Sequence, residues 1–401
     1  MTIRLAERTR RIKPSATLAV TARAAALRAA GKDIIGLGAG EPDFDTPPHI
    51  ADAGVEAIRK GHTRYTNIEG TNELRDAIAG KFRRDNGLEY RREQILVSSG
   101  AKQVIFNLCC ALLDPGDEAI IPAPYWVSYP DMVLVADGKP VAVFAGADQG
   151  YKITPAQLEA AITPRTKLFI LNSPCNPTGA AYSRAELQAF GAVLAKHPGI
   201  VIATDDMYEH IWWGPEPFTS FATANPTLYD RTVTINGCSK SYAMTGWRIG
   251  FCGGPSELIA AMAMIQGQST SNASSISQKA ATVALNATQD AVAEMCRAYR
   301  ARHHLVVEGL NRLPGFHCLP GWGTFYAFAN VEQAMRAVGA GDDNAFGEFL
   351  ITEAGVAIVP GEGFGAPGHI RLSFAASAET LMEALRRMQA ALAGVAAKKR
   401  A

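Results

Sequence analysis

The sequence has little net charge and no long apolar run. Its 39 lysines and arginines nearly balance 38 aspartates and glutamates, so the formal net charge is only +1. A balanced charge gives no reason to expect nucleic acid or an anionic membrane as a partner. No apolar run approaches the roughly 20 residues that a bilayer-spanning helix needs, and the first residues lack the apolar segment of a signal peptide. We therefore expect no membrane association.

Closely spaced cysteines are also missing. The seven cysteines are scattered along the chain, and no two of them form a Cys-x-x-Cys pair. An odd number of scattered cysteines favours a reducing compartment over a disulfide framework. We therefore expect a cytoplasmic location and predict no metal site.

What remains is the composition of a folded protein. Hydrophobic residues make up 48% of the 401 residues and charged residues 19%, as is usual for soluble folded chains. A chain of this length exceeds one ordinary core, so two domains are expected.

Most of the chain alternates short apolar runs with helical segments. Continuous apolar runs indicate strands buried on both faces, and intervening helices favour an α/β fold with a mostly parallel sheet. Helical periodicity is clear at 101–113, 184–196 and 256–267. The six strand-like runs are Ile95–Val97, Ala119–Ile121, Leu168–Leu171, Ile200–Ala203, Thr232–Ile235 and Ile249–Cys252.

The two ends of the chain carry a different pattern. A helix is predicted over 15–30, and the C-terminal part combines long helices with strands of alternating polarity, over 289–312, 323–328, 369–374 and 378–395. We predict three segments. Residues 1–45 form an N-terminal arm and part of a small α+β domain, residues 46–290 form a large domain, and residues 291–401 form the C-terminal small domain.

Polar groups with distinct chemistry directly follow five of the apolar runs. In open α/β sheets, ligands bind beyond the carboxyl ends of the strands. We therefore expect these groups to meet in one crevice. They are Ser98–Gly100, Pro124–Trp126, Asn172–Pro174, Asp205 and Lys240.

The stretch Ser239–Gly250 carries the most specific chemistry. Lys240 supplies an amine that can form an imine with an aldehyde. Arg248 supplies a guanidinium that can bind phosphate through two parallel hydrogen bonds. Pyridoxal phosphate carries both an aldehyde and a phosphate. For this pair taken alone, a solvated lysine beside a surface arginine is the alternative.

A second candidate phosphate site comprises Ser99, Gly100, Ala101 and Lys102, between a strand and a helix. Free backbone N–H groups at a helix start attract anions, although a plain capped helix would use the same residues. The Ser-x-x-Lys spacing matches penicillin-recognising enzymes, but their companion motifs are absent. The glycine-rich turn 36–40 is followed by Glu-Pro where a dinucleotide-binding helix would start, which argues against a Rossmann fingerprint.

Asn176 lies between two prolines in the turn 172–179. We predict that the turn holds its amide as a donor to a ligand oxygen. We also predict a cis bond between Asn176 and Pro177, because tight functional turns favour it. A tight loop without a ligand is the alternative.

Four further side chains each allow two interpretations. Asp205 ends an apolar run, so it either pairs with a cationic pyridinium N–H or caps a helix; Asp206 is expected to be a cap or a solvated neighbour. Tyr208 would hydrogen-bond the phenolic oxygen of the ring or be a half-buried tyrosine. Trp126 either stacks on a flat ring or belongs to the core. Arg371 either binds an α-carboxylate or forms a cross-strand ion pair.

Together these residues resemble the class I pyridoxal-phosphate aminotransferases of fold type I, in their bacterial aspartate aminotransferase-like subgroup. The resemblance covers nearly the whole chain. It implies a large domain with a mostly parallel seven-stranded sheet flanked by helices, and a smaller α+β domain. The motifs that carry it are Ala39–Asp45, Tyr65 with Gly70 and Leu74–Arg75, Pro124–Trp126, Asn176–Gly179, Asp205 with Tyr208, Ser239–Gly250, and Arg371.

The resemblance implies a role for each candidate. Lys240 would be the catalytic Schiff-base lysine. Cofactor contacts would come from Ser99, Gly100, Ala101, Lys102 and Arg248 around the phosphate, and from Trp126, Asn176, Asp205 and Tyr208 around the ring. Substrate contacts would come from Gly40, Trp126, Asn176 and Arg371, of which Arg371 binds the α-carboxylate. Tyr65 matches a tyrosine that reaches the phosphate of the neighbouring subunit, which implies a homodimer with composite sites.

Two departures from the family pattern concern the substrate. Some relatives carry a serine three residues before the lysine, where this chain has Gly237, and an arginine for the distal carboxylate, which 265–269 lacks. Lys13 and Lys102 are our candidates for that contact. The resemblance implies ping-pong transfer of the amino group of an acidic L-amino acid, above all L-aspartate, to 2-oxoglutarate. Prephenate or aromatic substrates, a lyase reaction of the same cofactor and a non-catalytic regulator are the alternatives.

Overall fold

The computed structural model describes residues 3–398, so residues 1–2 and 399–401 of the predicted segments lie outside it. The helices are α1 (Arg8–Arg11), α2 (Ala16–Ala29), α3 (Pro48–Arg59), α4 (Asn72–Lys81), α5 (Ala101–Leu112), α6 (Ser128–Val135), α7 (Pro155–Ala161), α8 (Arg184–Leu194), α9 (Phe221–Ala224), α10 (Ser256–Gly267), α11 (Ser275–Asn286), α12 (Asp290–Arg312), α13 (Glu332–Val338), α14 (Asp343–Phe349) and α15 (Ala378–Lys398).

The strands are β1 (Ile35–Gly36), β2 (Ile95–Ser98), β3 (Glu118–Ala123), β4 (Lys139–Phe144), β5 (Thr166–Asn172), β6 (Val201–Asp205), β7 (Thr232–Gly237), β8 (Gly250–Gly253), β9 (His317–Cys318), β10 (Tyr326–Asn330), β11 (Val356–Ala357), β12 (Val359–Pro360) and β13 (His369–Ser373). Short helical turns of other types are Phe82–Asn86, Arg92–Gln94, Ala147–Gln149, Pro226–Arg231, Leu350–Ala354 and Gly361–Phe364.

A seven-stranded sheet organises the large domain, in the order β2-β8-β7-β6-β5-β3-β4. Neighbouring strands are parallel except around β8, which runs antiparallel to both β2 and β7. The predicted α/β class and the mostly parallel seven-stranded sheet are therefore confirmed.

Both faces of this sheet are buried. In β3, Ala119 and Ile121 pack into one hydrophobic cluster with α5 and α6, whereas Ile120 packs into another with α8. All six residues of β7 are buried. Burial on both faces explains why the central strands have continuous apolar sequences.

The edge strand β4 is the one that the apolar runs did not indicate. Its sequence, KPVAVF, begins with an exposed lysine and a proline, and all six of its residues are either partly covered or exposed. An edge strand has one neighbour and tolerates proline. The continuous apolar signature of a central strand is therefore absent from Lys139–Phe144.

A second sheet, antiparallel in the order β12-β13-β10-β9, forms the small domain with α12 and α15. The strand β10 begins at residue 326, three residues later than the predicted 323–328, because Gly323 pairs instead with Trp212 in an isolated bridge. Near the N-terminus, β1 pairs with β11 in parallel. The segment boundaries near residues 45 and 290 stay a prediction.

The helices α5, α8, α10, α12 and α15 lie where periodicity predicts them, and their ends shift by at most three residues. Within residues 3–398, none of the helices combines the length and apolarity that a bilayer crossing requires.

Candidate active site

One edge of the large sheet gathers the predicted polar groups. The carboxyl ends of β5, β6 and β7 lie side by side there, and β8 starts at the same edge because it runs antiparallel. Gly250 at the start of β8 pairs with Ser98 and with Gly237, so Arg248 is brought beside both the helix start after β2 and the loop that carries Lys240. This topology predicts that groups far apart in sequence share one site.

A cavity of about 500 Å³ opens at this edge. Most predicted site residues line it, from both domains: Gly40, Ala101, Lys102, Trp126, Asn176, Asp205, Tyr208, Lys240, Arg248 and Arg371. A second cavity of about 520 Å³ adjoins the first and is lined by Lys13, Ser99, Lys102 and Arg248 with apolar residues. Tyr65 lies outside both and is 91% exposed.

Lys240 is half-buried, and its Nζ donates a hydrogen bond to the Gly40 carbonyl oxygen at 2.5 Å. Desolvation is the main cause that lowers its pKa to about 8, and the nearby cations Arg371 and Arg248 lower it further, against the opposing effect of Glu41. A lysine amine reacts with a carbonyl only in its unprotonated form. The cavity therefore prepares this amine for reaction near neutral pH.

We expect the rate of pyridoxal phosphate uptake by the apoprotein to rise with pH, with a midpoint near pH 8, and to level off above it. The sign follows from the lowered pKa of Lys240, because the reactive neutral amine appears above about pH 8 instead of above the ordinary value of 10.5. Stopped-flow absorbance of apoprotein mixed with the cofactor, from pH 6 to 10.5, measures this. A midpoint above pH 10 would contradict the prediction.

Asp205 ends β6, and its carboxylate is buried. It accepts a hydrogen bond from the Tyr129 hydroxyl at 2.6 Å and one from the Met207 amide at 3.3 Å. Burial raises its pKa, against the opposing effect of Tyr129. No lysine, arginine or histidine within residues 3–398 lies within ion-pair distance of it. A buried acid that lacks a cation and borders the cavity fits the protonated nitrogen of a pyridine ring.

Arg371 is fully buried, and its guanidinium lies between two aromatic rings, 4.3 Å from the Tyr326 centroid and 4.9 Å from the Phe364 centroid. Its two terminal nitrogens donate to Asn176 Oδ1 at 2.9 Å and to the Gly38 carbonyl at 2.7 Å, while its Nε has no partner. This cation has no carboxylate partner in the described structure. Its surroundings therefore fit an anionic group of a ligand.

The predicted phosphate cradle lies where α5 begins. Arg248 donates to the carbonyls of Thr245 at 2.9 Å and Ser99 at 3.2 Å. Gly100 has φ of +89°, and a Cβ at that position would come within 2.3 Å of the Arg248 guanidinium. The close approach of a guanidinium to the N-terminus of a twelve-residue helix fits an anion, and the phosphate cradle stays a prediction.

Lys102 lies one residue into α5 and lines both cavities. Its Nζ is 4.9 Å from the Trp126 ring centroid. Burial lowers its pKa, and Arg248 lowers it further. Trp126 itself packs edge-on against Tyr129 and borders the cavity, and its stacking on a flat ring stays a prediction.

Two expectations were wrong. Within residues 3–398 the cis bonds are Ala123–Pro124 and Ser173–Pro174, so the predicted cis bond between Asn176 and Pro177 is absent. The backbone N–H of Asn176 donates to Asn172 Oδ1 at 2.8 Å. Asp206 is neither a cap nor solvated but buried, and desolvation with the nearby Glu209 raises its pKa to about 8.

Sequence reasoning missed two residues of the site, Tyr129 and Tyr326. Tyr129 lies in the first turn of α6, three residues after Trp126, which precedes the helix; the two rings pack edge-on with their centroids 5.3 Å apart. Tyr326 starts β10 in an apolar stretch that looks like ordinary core. Only the pairing of β10 with β13, which carries Arg371, brings Tyr326 into the cavity.

Comparison with known proteins identifies relatives over nearly the full chain. The family model for aminotransferases of class I and II matches residues 32–388. The chain is 55% identical to the aspartate/prephenate aminotransferase of Nitrosomonas europaea over 396 residues, which cover 97% of this chain and 100% of that protein. It is 48% identical to an aspartate aminotransferase of Rhizobium meliloti over 393 residues, 97% of this chain and 96% of the relative.

Solved structures give the same result. The aspartate aminotransferase of Rhizobium meliloti superposes with a TM-score of 0.93 at 48% identity, covering 98% of this chain and 99% of its own. The Thermus thermophilus aspartate aminotransferase with maleate superposes with a TM-score of 0.91 at 43% identity, covering 97% of this chain and 100% of its own.

Proposed function

The chain belongs to the class I and II aminotransferase family, whose fold type I members depend on pyridoxal phosphate, and we propose that it moves the amino group of L-aspartate to 2-oxoglutarate. The observation that carries the proposal is the group of three side chains around one cavity: a half-buried reactive amine, a buried acid without a cation and a buried arginine without a carboxylate. Each of the three lacks the partner that the cofactor or an amino acid would supply.

The residues that would hold pyridoxal phosphate are Lys240, Asp205, Tyr208, Asn176, Trp126 and the cradle of Ser99, Gly100, Ala101, Lys102 and Arg248. When bound, the cofactor supplies an electron sink for the pair of electrons left at the substrate's Cα. Asp205 holds the proton on the pyridine nitrogen, because the buried carboxylate is stabilised by the positive charge. Tyr129, which donates to Asp205 at 2.6 Å, fixes the direction of that carboxylate.

Lys240 is the proton carrier of the reaction. With the cofactor bound, the free amine of Lys240 would take the proton from the substrate's Cα and later give that proton up again. Its pKa of about 8 suits a base that must also act as an acid near neutral pH. Arg371 binds the α-carboxylate and so orients Cα, and Gly40 lines the same end of the cavity.

Lys102 is our candidate for the distal carboxylate, with Lys13 as a second contributor. In the part of the chain that the structure describes, the Nζ of neither lysine has a carboxylate oxygen within 4 Å, although the backbone N–H of Lys13 donates to Asp131 Oδ1 at 3.3 Å. Lys102 lines the cavity that Arg371 also lines, whereas Lys13 reaches only the adjoining one. A dicarboxylate held by Arg371 at one end therefore meets Lys102 before Lys13.

A substrate panel with Lys102→Met as the comparison tests this assignment. We expect kcat/KM for L-aspartate to fall roughly 10- to 100-fold in the variant, as for the loss of a charge-assisted hydrogen bond, while kcat/KM for L-alanine changes by less than about threefold. Coupled formation of L-glutamate is the readout. Equal losses for both amino acids would contradict the role of Lys102, and ammonia released without glutamate would indicate a lyase.

Prephenate or aromatic amino acids are a second candidate substrate class. The 55% identical Nitrosomonas europaea relative is named for both aspartate and prephenate. The adjoining cavity has Phe106, Met132 and Val135 in its wall, which suit a ring, while Lys102 remains within reach of a second carboxylate. Prephenate and L-phenylalanine therefore belong in the panel.

A cytoplasmic homodimer with composite sites completes the proposal. Tyr65 is 91% exposed, and Val55, Ile58 and Met264 are other large apolar residues left uncovered in the single chain. Val55 and Ile58 are three residues apart on α3, and exposed apolar side chains that adjoin one another favour a protein interface. Sedimentation at micromolar concentration should give twice the mass of the chain, and a monomer with full activity would refute composite sites.

A further inference from the structure

Tyr326 lies at the junction of three parts of the candidate site. It starts β10, is only 2% exposed and borders the cavity. Its hydroxyl is 3.1 Å from the Tyr208 hydroxyl, and its ring lies 4.3 Å from the centre of the Arg371 guanidinium. A Cβ at Gly40 would come within 2.6 Å of the same hydroxyl, so only glycine fits there.

The hydroxyl of Tyr326 has one hydrogen-bond partner within residues 3–398, the hydroxyl of Tyr208. Tyr208 likewise has only Tyr326. Both phenols stay neutral, since burial raises the pKa of each. When two neutral hydroxyls hydrogen-bond to each other, one donates its proton and the other accepts, so the proton of the accepting hydroxyl is free to bond elsewhere. If Tyr326 donates to Tyr208, the free proton is that of Tyr208.

We propose that Tyr326 is a positioning residue: it donates to the Tyr208 oxygen and so directs the Tyr208 proton into the cavity. An acceptor in the cavity, such as the phenolic oxygen of a pyridoxal ring, then completes a chain from Tyr326 through Tyr208 to that oxygen. Each hydrogen bond in such a chain strengthens the next. This inference rests on the proposed function, because it assigns Tyr208 to the cofactor's oxygen.

The test is a pH titration of the holoenzyme's visible absorbance, with wild type and Tyr326→Phe compared. A hydrogen bond from the Tyr208 hydroxyl stabilises the anionic form of the ring oxygen. An anionic ring oxygen is favoured when the linkage to Lys240 has lost its proton, so this hydrogen bond lowers the pH at which that proton leaves. The weakened chain in Tyr326→Phe should therefore move the titration midpoint upward by roughly half to one pH unit. Tyr208→Phe should move it in the same direction, and the double variant should add little beyond Tyr208→Phe.

Tyr299→Phe is the matched control. Tyr299 is also fully buried, its ring contacts Phe325 next to Tyr326, and its hydroxyl lies 3.4 Å from Asp43 outside the cavity. This variant removes one buried hydroxyl from the same core and should leave the midpoint unchanged. An unchanged midpoint in Tyr326→Phe, or an equal shift in Tyr299→Phe, would overturn the inference. A wild type without a visible cofactor band would instead overturn the proposed function.

Discussion

Lys240→Ala is expected to abolish the visible band of the bound cofactor and to slow amino transfer roughly 10⁴-fold or more. The variant loses the amine that donates to the Gly40 carbonyl, and with it the group that we propose moves the proton at Cα. Acid–base catalysis by a positioned side chain typically contributes 10²–10⁴-fold, and here the covalent attachment disappears as well. Absorbance after cofactor addition and single-turnover rates with L-aspartate measure the two effects.

Lys102→Met controls for the loss of a lysine from the same cavity. Both lysines line the cavity, and burial lowers the pKa of each. The Lys102→Met variant should keep the visible band, because the Lys102 amine lies over Trp126 at the start of α5, away from Lys240 at the end of β7. A band retained in Lys240→Ala, or turnover within tenfold of wild type, would refute the assignment of Lys240.

The large sheet could be predicted because its central strands are buried on both faces. Such strands have continuous apolar sequences, as in Leu168–Leu171 and Thr232–Ile235, and the first of these is followed along the chain by the periodic helix Arg184–Leu194. The edge strand Lys139–Phe144 was not predicted, because its outer side faces no neighbouring strand and its apolar pattern is interrupted. Sequence periodicity reports burial, and it fails where a strand is only partly covered.

The site was predictable where one short motif carries the chemistry. Lys240 with Arg248, and Asp205 with Tyr208, each lie within one turn-containing segment, so spacing and side-chain type were informative. Tyr326 was not, because its role depends on the register between β10 and β13. The burial of Asp206 was not predictable either. From the sequence, a carboxylate beside Asp205 resembles an ordinary solvated acid, and only the packing around Glu209 shows that it is buried.

Asp205→Asn is expected to lower kcat on the order of 10²–10³-fold, the usual effect of removing a charge that stabilises a transition state in a closed site. The substitution keeps the shape of the side chain and an oxygen for the Tyr129 hydroxyl. It removes the negative charge that holds a proton on the pyridine nitrogen. We therefore expect lower kcat and lower cofactor affinity, which are measured by kinetics and by equilibrium titration of the apoprotein. The KM for L-aspartate depends mainly on Arg371 and should change little.

Asp206→Asn is a closely matched control for this prediction, because the two acids are adjacent and both buried. The pKa of Asp206 is raised to about 8, so its carboxyl is mostly neutral at pH 7 and an amide replaces it without loss of charge. We expect Asp206→Asn to keep kcat within about threefold of wild type at pH 7. Equal losses in the two variants would mean that packing at the end of β6 matters and the charge does not. A large loss in Asp205→Asn alone would assign the effect to the one carboxylate whose charge the cofactor's ring needs.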